Sequence, residues 1–451
     1  MKLLHVIDTM GAGGPARSLL AFVQHAKRLQ PDIAHRILSL GQEGYPPAIF
    51  AARRMEVEVM RAPQPVEIAR LVGGSDIVLL HFWNTPRVWR FLSAGLAARY
   101  VVWAKVLGTT HPQVLNMRAM SSAAALVLTA PPPPDLRRQW AKGDTPVVPG
   151  IADFSRVAAV HAEPHDGFNV DYIGTLNRGK IHSDFAGIMA GIDVPGIRVR
   201  IYGGVPDAAL ADSIRYCADP ARFECPGFVE DIAGILKTSD VFGYPLSRTT
   251  YATSDKSLQE AMYAGIPPVI LPHGGPARFV EDGKTGLIAR TEREFAHAIE
   301  YLHRNPDRCR ELGANARAYA RDAFAPERQA ADLLKAVTGA SARPARPILP
   351  VSVIGEAALF LVSQGWEERA ATAAVAAWRA GDGAKLDDWA SSLPAEAFEI
   401  EGGIIHWRNA MPADPLLRWW SALWLKRQGR ARDAAQELEA ARRLGAQAVT
   451  D

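Results

Sequence analysis

The chain has 451 residues, 48% of them hydrophobic and 22% charged, which is too long for one ordinary domain and too apolar for a disordered or fibrous protein. Its 51 basic and 48 acidic side chains leave a formal charge of only +3, which gives little long-range attraction for nucleic acid or an anionic membrane and leaves room only for a local basic pocket. No apolar stretch approaches the ~18 uninterrupted residues that span a bilayer, so any membrane contact is expected to be peripheral.

The first residues, MKLLHVIDTMGAGG, are a short apolar run closing in glycines. They lack the longer apolar region and small-residue cleavage site of a signal peptide, and read as the first strand of a cytoplasmic protein. Short β-rich runs then alternate with helical patterns: KLLHVID, HRILSLG, EVEVMRA, DIVLLHF, YVVWAK and AALVLTA are separated by segments such as ARSLLAFVQHAKRLQ. This alternation predicts a parallel sheet with crossover helices over residues 1–165. The run Pro131 to Pro134 cannot lie inside a central strand or helix, and marks a loop at the carboxyl edge of that sheet, where such folds hold ligands.

VPGIADFSRVAAVHAEPHDG is rich in turn formers and has no sustained period, which predicts an interdomain linker near residues 150–166. A second series follows: FNVDYIGTL, IRVRIYGG, a helix in EDIAGILKTSD, VFGYPL, a helix in KSLQEAMYAG, PPVILP and TGLIAR, then helices to about Val337. Residues 166–338 are thus expected to form a second Rossmann-like domain, giving an α/β chain with two facing sheets.

GASARPARPILP, residues 339–350, reads as a connector, and 351–451 as an all-α module. Within it Ala358, Leu361, Gly365, Ala370 and Ala377 are matched in spacing by Ala422, Leu425, Gly429, Ala434 and Ala441, with 429 − 365 = 64 residues between the glycines. That is close to two ~34-residue periods of tetratricopeptide-like hairpins, although an unrelated alanine-rich helical cap produces the same pattern. Trp419, Trp420 and Trp424 are expected in its core, and its role is either to bind a protein partner or to cover an exposed face.

Cys217, Cys225 and Cys309 carry no CxxC spacing and read as buried spectator thiols. There is no Asp-x-Asp, no HExxH and no clustered His and carboxylate spacing, so no metal site is expected. No Ser-His-Asp or Cys-His arrangement suggests a nucleophile.

The chemistry-bearing signals lie at predicted strand ends. Gly11-Ala12-Gly13-Gly14 follows the first strand and precedes a helix, where backbone amides can approach a phosphate or sugar, or simply make a tight turn. No acidic residue closes the next strand, where Leu40 and Gly41 stand, which disfavours a nicotinamide site. YIGTLNRGK places Gly174, Arg178 and Lys180 after the first strand of the second domain, two cations suited to a diphosphate or to a solvated loop. The helix in SDKSLQEAMYAG opens near Asp255, so the amides of Asp255, Ser257 and Leu258 and the positive end of its dipole can accept an anion. Glu260, about one turn inside, can hold a ribose diol or be an ordinary helix residue.

These pieces occur in order with GGPARSLL, VVPGIADF, YGG at Tyr202 to Gly204, PGFVEDIAGILKTSDVFGYP, LQEAMYAGIPPVI and EDGKTGLIA. Over roughly residues 1–338 the chain resembles the retaining glycosyltransferases of group 1, which have two facing Rossmann-like domains, the fold called GT-B. The resemblance implies that Lys180 contacts a donor diphosphate, Glu260 holds the ribose hydroxyls, and Gly13 and Gly14 approach the donor from the first domain. The family's glutamate eight residues before Glu260 is Ala252 here, and its arginine after Gly174 is Thr175. Arg178 is expected to replace the arginine, and Asp255 or Ser254 part of the sugar contact. The family's histidine near the sugar has three candidate counterparts, Lys105, His111 and His81, and Trp83 is placed to stack on an acceptor sugar. Base recognition is expected near Gly204 and Gly227.

The expected activity is transfer of a sugar from a nucleoside diphosphate donor to a glycan, lipid-linked or protein acceptor, with retention, without a metal or bound cofactor. Two rivals remain open at this point: a catalytically inactive binding or scaffold protein, motivated by Ala252 and Thr175, and a nucleotide-sugar epimerase on the same fold.

Overall fold

A computed structural model describes residues 1–133, 145–349 and 354–446. Strands β1 (Lys2–Ile7), β2 (Ala34–Ser39), β3 (Glu58–Arg61), β4 (Ile77–Phe82), β5 (Tyr100–Ala104) and, after the small hairpin β6 (Thr109–Thr110) and β7 (Gln113–Val114), β8 (Ala125–Leu128) make up the first half. The six long strands form one parallel sheet in the order β3-β2-β1-β4-β5-β8, all six being strands expected from the alternation. β1 and β4 are apolar almost throughout because helices cover both faces of the sheet. The helix Gly14–Leu29 illustrates the crossover units: Gly13 is its N-cap, Pro15 sits in the first turn, and Leu19, Phe22, Val23 and Ala26 form its buried face. Pro131 to Pro133 follow β8 without helix or strand, and Pro134 lies outside the described residues.

Residues 150–166 contain neither helix nor strand and lead into a second parallel sheet. Its strands are β9 (Phe168–Ile173), β10 (Ile197–Tyr202), β11 (Phe223–Gly227), β12 (Val241–Tyr244), β13 (Pro268–Ile270) and β14 (Leu287–Ile288), in the order β11-β10-β9-β12-β13-β14. β11 was not expected: FECPG is partly exposed, holds a proline and pairs at the sheet edge, so neither alternation nor an apolar run marks it. Within this sheet Asp171 of β9 is fully buried and accepts two hydrogen bonds from Arg200 of β10, at 2.6 and 2.7 Å.

The packing redraws the expected boundary at residue 338. Helix Pro326–Gly339, at the end of the stretch assigned to the second domain, returns to the first. Its Ala330, Leu333, Leu334 and Val337 share an apolar cluster with Leu3, Phe22, Ile77 and Val101. The preceding helix Pro306–Ala323 stays in the second core through Leu312, Ala316 and Ala320.

The expected connector, 339–350, does not run free either. Arg346 and Ala98 exchange backbone hydrogen bonds of 3.3 and 3.0 Å, and Ile348 and Leu349 are buried, while Pro350 lies outside the described residues. Phe360, Trp407 and Trp420 of the helical module belong to the same apolar cluster as Val6, Phe82, Trp89 and Val102, so the module is built onto the first domain. The Asn84 side-chain amide donates to the Ser363 carbonyl at 2.9 Å, and that of Asn116 to the Val362 carbonyl at 2.7 Å. Helices Glu356–Ser363 and Glu368–Arg379 form one hairpin and Pro415–Arg427 and Ala431–Arg443 another. Gly365 and Gly429 turn the two hairpins with φ of 98° and 72°, the left-handed region that favours glycine. Shorter helices, Ala384–Ser392, Glu396–Glu399 and Ile404–Ala410, lie between them. Trp419, Trp420 and Trp424 are in the core as expected. The cysteines are not all buried: Cys225 is exposed, and Cys217 and Cys309 are partly so. Among the described residues no helix is long and apolar enough to cross a membrane.

Candidate active site

A cleft of about 1040 Å³ opens where the carboxyl ends of the two sheets face each other. In each sheet the strand order reverses beside the first strand, between β1 and β4 and between β9 and β12. Loops leave such a point in opposite directions and open a crevice. The first domain lines it with Asp8, Gly13, Gly14, Arg17 and Ser18 after β1, and with His81 and Trp83 from β4. The second contributes Gly174 and Lys180 after β9 and Ser254 to Ser257 at the start of helix Lys256–Ala264.

That helix carries the centre of the site. No side chain caps its N-terminus; the Asp255 carboxylate turns away, accepting from the Tyr244 hydroxyl at 2.5 Å and pairing with Lys180 at 3.2 Å. The uncapped amides and the aligned peptide dipoles therefore face the cleft beside the Lys180 ammonium. Tyr172 hydrogen-bonds the Thr175 carbonyl at 2.8 Å and steadies the loop that delivers Lys180. Glu260, one turn further on and 1% exposed, is held by two guanidinium groups. Arg156 from the linker makes two bonds of 3.0 Å, and Arg17 from the first domain makes a third.

Two more cations sit in the same crevice. Lys105, after β5, donates to Ser18 at 3.2 Å, and burial together with the nearby Lys256 pulls its pKa well below the usual lysine value. Lys256 is lowered to about 7 by burial and by Arg17, against the opposing pull of Glu260 and Asp255. Burial of an amine without enough anionic partners favours its neutral form, and an incoming anion reverses that balance. His81 is fully buried and lines the cleft; its Nε2 meets His5 at 3.1 Å, and His5 meets His35 at 2.9 Å. Burial and Lys105 keep His81 neutral. Among the described residues no group of three histidine, cysteine or acidic side chains is arranged to hold a metal ion.

Gly13, Gly14, Gly174, Lys180, Gly204, Asp255, Ser257, Glu260 and Lys105 thus meet in the cleft. Three expected residues do not. Arg178 is exposed and outside it: the amides of Lys180 and Ile181 both bond the Asn177 carbonyl, and in so tight a turn side chains two residues apart project to different sides. The Leu258 side chain points into the second core, which leaves the expectation for its backbone amide, one of the uncapped amides of the helix, standing. His111 bonds Gln364 at 2.9 Å and faces Trp389, because its loop folds into the β6–β7 hairpin and docks on the helical module. The substitutes proposed for the missing glutamate are also engaged: the Gly150 amide donates to the Ser254 hydroxyl at 2.6 Å.

At the opposite end of the cleft only Trp83 was anticipated. Ile400 and Glu401 of the helical module line it. The Trp83 indole donates to the Glu401 carboxylate at 3.0 Å, and the Gln113 side chain donates to the Glu401 carbonyl at 2.6 Å. Gly402 has a φ of 87°, and a Cβ there would lie 2.3 Å from the Asn84 carbonyl, so the tip needs glycine to sit this close. Burial and the neighbouring Asp8 push the Glu401 carboxyl up to about 7. Phe228 and Val205, exposed at the rim of the second domain, were also missed. The one sequence signal for the tip is Gly402-Gly403 interrupting an otherwise helical stretch.

Residues 153–319 match the family model described as Glycosyl transferases group 1. A 66-residue stretch is 36% identical to alpha-1,3/1,6-mannosyltransferase ALG2 of Dictyostelium discoideum, spanning 14% of this chain and 16% of that protein. Among solved structures, HepE of Anabaena in complex with UDP-glucose superposes with a TM-score of 0.60 at 16% identity, over 74% of this chain and 99% of that one. A glycosyltransferase from Rickettsia africae gives a TM-score of 0.60 at 12% identity, over 76% and 99%. These likenesses establish the GT-B fold and leave about a quarter of this chain outside the match.

Proposed function

We propose that this chain, with its Glycosyl transferases group 1 domain set in the GT-B fold, transfers a hexosyl group from a nucleoside diphosphate sugar to an acceptor hydroxyl, with retention and without a metal. One observation carries the reading: Lys180, the uncapped start of helix Lys256–Ala264 and the buried carboxylate of Glu260 converge within one cleft. Their order fits a nucleotide laid across the second domain, diphosphate on the amides and Lys180, ribose diol on Glu260.

When the bond from the sugar's anomeric carbon to the diphosphate breaks, negative charge collects on the departing oxygens. Lys180, Lys256 and the helix amides are already oriented around that position, and such preorganised groups stabilise the transition state without reorganising. Arg17 adds positive charge from the first domain, and Lys105 does so once an incoming anion favours its charged form. These cations take the part expected of Arg178. Ribose binding would exchange the Glu260 bonds to Arg17 and Arg156 for bonds to the diol.

That HepE was crystallised with UDP-glucose supports a nucleotide-sugar donor for this cleft. A thermal-shift titration with UDP, GDP and ADP tests the reading, since a ligand at 100 times its Kd adds about 2.7 kcal/mol of stability. The expected result is a shift with one base, lost in Lys180→Ala and Glu260→Ala. No shift with any nucleotide at millimolar concentration would sink the proposal in favour of a binding protein.

A further inference from the structure

The helical module is more than a cover. We infer that its tip, Ile400 to Gly403, completes an acceptor subsite in which the Glu401 carboxylate accepts hydrogen bonds from the hydroxyls of a neutral sugar stacked beside Trp83. This rests on the transferase reading for what is done with that sugar, but the binding itself does not.

Four observations point the same way. The tip is wedged between both walls of the cleft: a Cβ on Gly179, next to Lys180, would lie 2.5 Å from the Ile400 side chain, while Gly402 packs against Asn84 of the first domain. Glu401 is therefore held beside the donor loop by covalent geometry on one side and by Gln113 and Trp83 on the other. Its side chain still presents surface to the cleft, so a ligand can reach the carboxylate oxygens.

The charge at this end is opposite to that of the phosphate end. Asp8 and Glu401 face the same space, and Arg87 is already shared between Asp8, at 3.4 Å, and Glu43, at 2.8 Å. An anionic acceptor group placed here would meet two carboxylates beside a guanidinium, that of Arg87, already engaged, whereas neutral hydroxyls can donate to carboxylate oxygens.

The aromatic surface suits the same ligand. Trp83 is fixed by its indole bond to Glu401 and by edge contact with Tyr251, ring centres 5.5 Å apart. A rigid indole offers a flat apolar platform to the C–H face of a pyranose, while polar groups at its rim take the hydroxyls.

The test uses the full chain and ligand-observed saturation-transfer NMR with a panel of neutral p-nitrophenyl hexosides and the matching glucuronide. At least one hexoside should bind, at least tenfold more tightly than the glucuronide. Glu401→Gln should weaken hexoside binding about tenfold while keeping the nucleotide thermal shift. The glutamine oxygen still accepts from Trp83, so a residue that merely positions the indole would leave hexoside binding intact. Glu401→Asp, which retains the charge on a shorter arm, should recover part of the loss. Unchanged binding in Glu401→Gln, a glucuronide that binds as well as the hexosides, or no hexoside binding at all would overturn the inference. A wild-type chain that binds hexosides but no nucleotide would instead overturn the transferase reading.

Discussion

Two fully enclosed carboxylates in the second domain are built alike and serve differently. Asp171 and Glu260 are each gripped by a forked arginine, at 2.6 and 2.7 Å from Arg200 and at 3.0 and 3.0 Å from Arg156. Asp171 lies outside the cleft lining, and Arg200 is itself buried and bonded to Thr238 as well, so the pair is a permanent part of the sheet. Glu260 lies at the floor of a cleft, and the side chains of Arg17 and Arg156 that hold it are each 34% exposed. Partners that are about a third in water would be free to leave if a better-fitting ligand arrived. The lesson is that the accessibility of the arginine, rather than that of the acid, separates a structural ion pair from an exchangeable one.

That contrast can be broken in four ways. The largest effect is expected from Asp171→Ala, which strands Arg200 in the core and should cost about 3–5 kcal/mol by urea unfolding; a loss under about 1 kcal/mol would erase the distinction. Glu260→Gln should act on binding instead, weakening the nucleoside diphosphate by about 1.5–3 kcal/mol in calorimetry, as loss of hydrogen bonds to a charged group does.

Next is a pH signature confined to the cleft. The folded pKa of Lys256 is lowered to about 7, below its unfolded value of 10.5, so between those limits unfolding takes up a proton. Lys256 should make stability rise with pH across that window by about 1.4 kcal/mol per unit, with no such contribution below pH 7, and Lys256→Met should reduce the slope by that amount, leaving the part that the likewise lowered Lys105 contributes. For the same reason nucleotide binding at pH 8 should draw in protons, read from calorimetry in buffers of different ionisation enthalpy, and Lys256→Met should lower that uptake by about one. The smallest effect is expected from Arg17→Gln, under about 1 kcal/mol of stability, because the side chain is about a third in solvent; a loss as large as that of Asp171→Ala would mean that Glu260 is structural too.

How far the sequence reached follows from the range of each signal. Both sheets were legible because a strand buried on two faces writes its burial into consecutive residues, as IVLLHF does. Lys180 and Glu260 were legible because a strand end and a helix start are local features. Arg178 was misplaced because both faces of a tight turn look alike in sequence. His111 was misplaced because its environment is made by Gln364 and Trp389, more than 250 residues away. The return of helix Pro326–Gly339 carried no local mark and Glu401 only the adjacent Gly402-Gly403, since each depends on which surface a distant segment packs against.

That returning helix has a mechanical consequence. The chain passes between the domains once near residue 150 and again before Pro326, so the two halves are joined by a pair of straps rather than a single thread. A single thread permits swivelling in every direction; two straps side by side restrict the motion to a swing about one axis, like a book on its spine. The helical module rides on the first cover. Any swing that widened the cleft would therefore pull Ile400 away from Gly179, and closing it would bring the tip back to the same place.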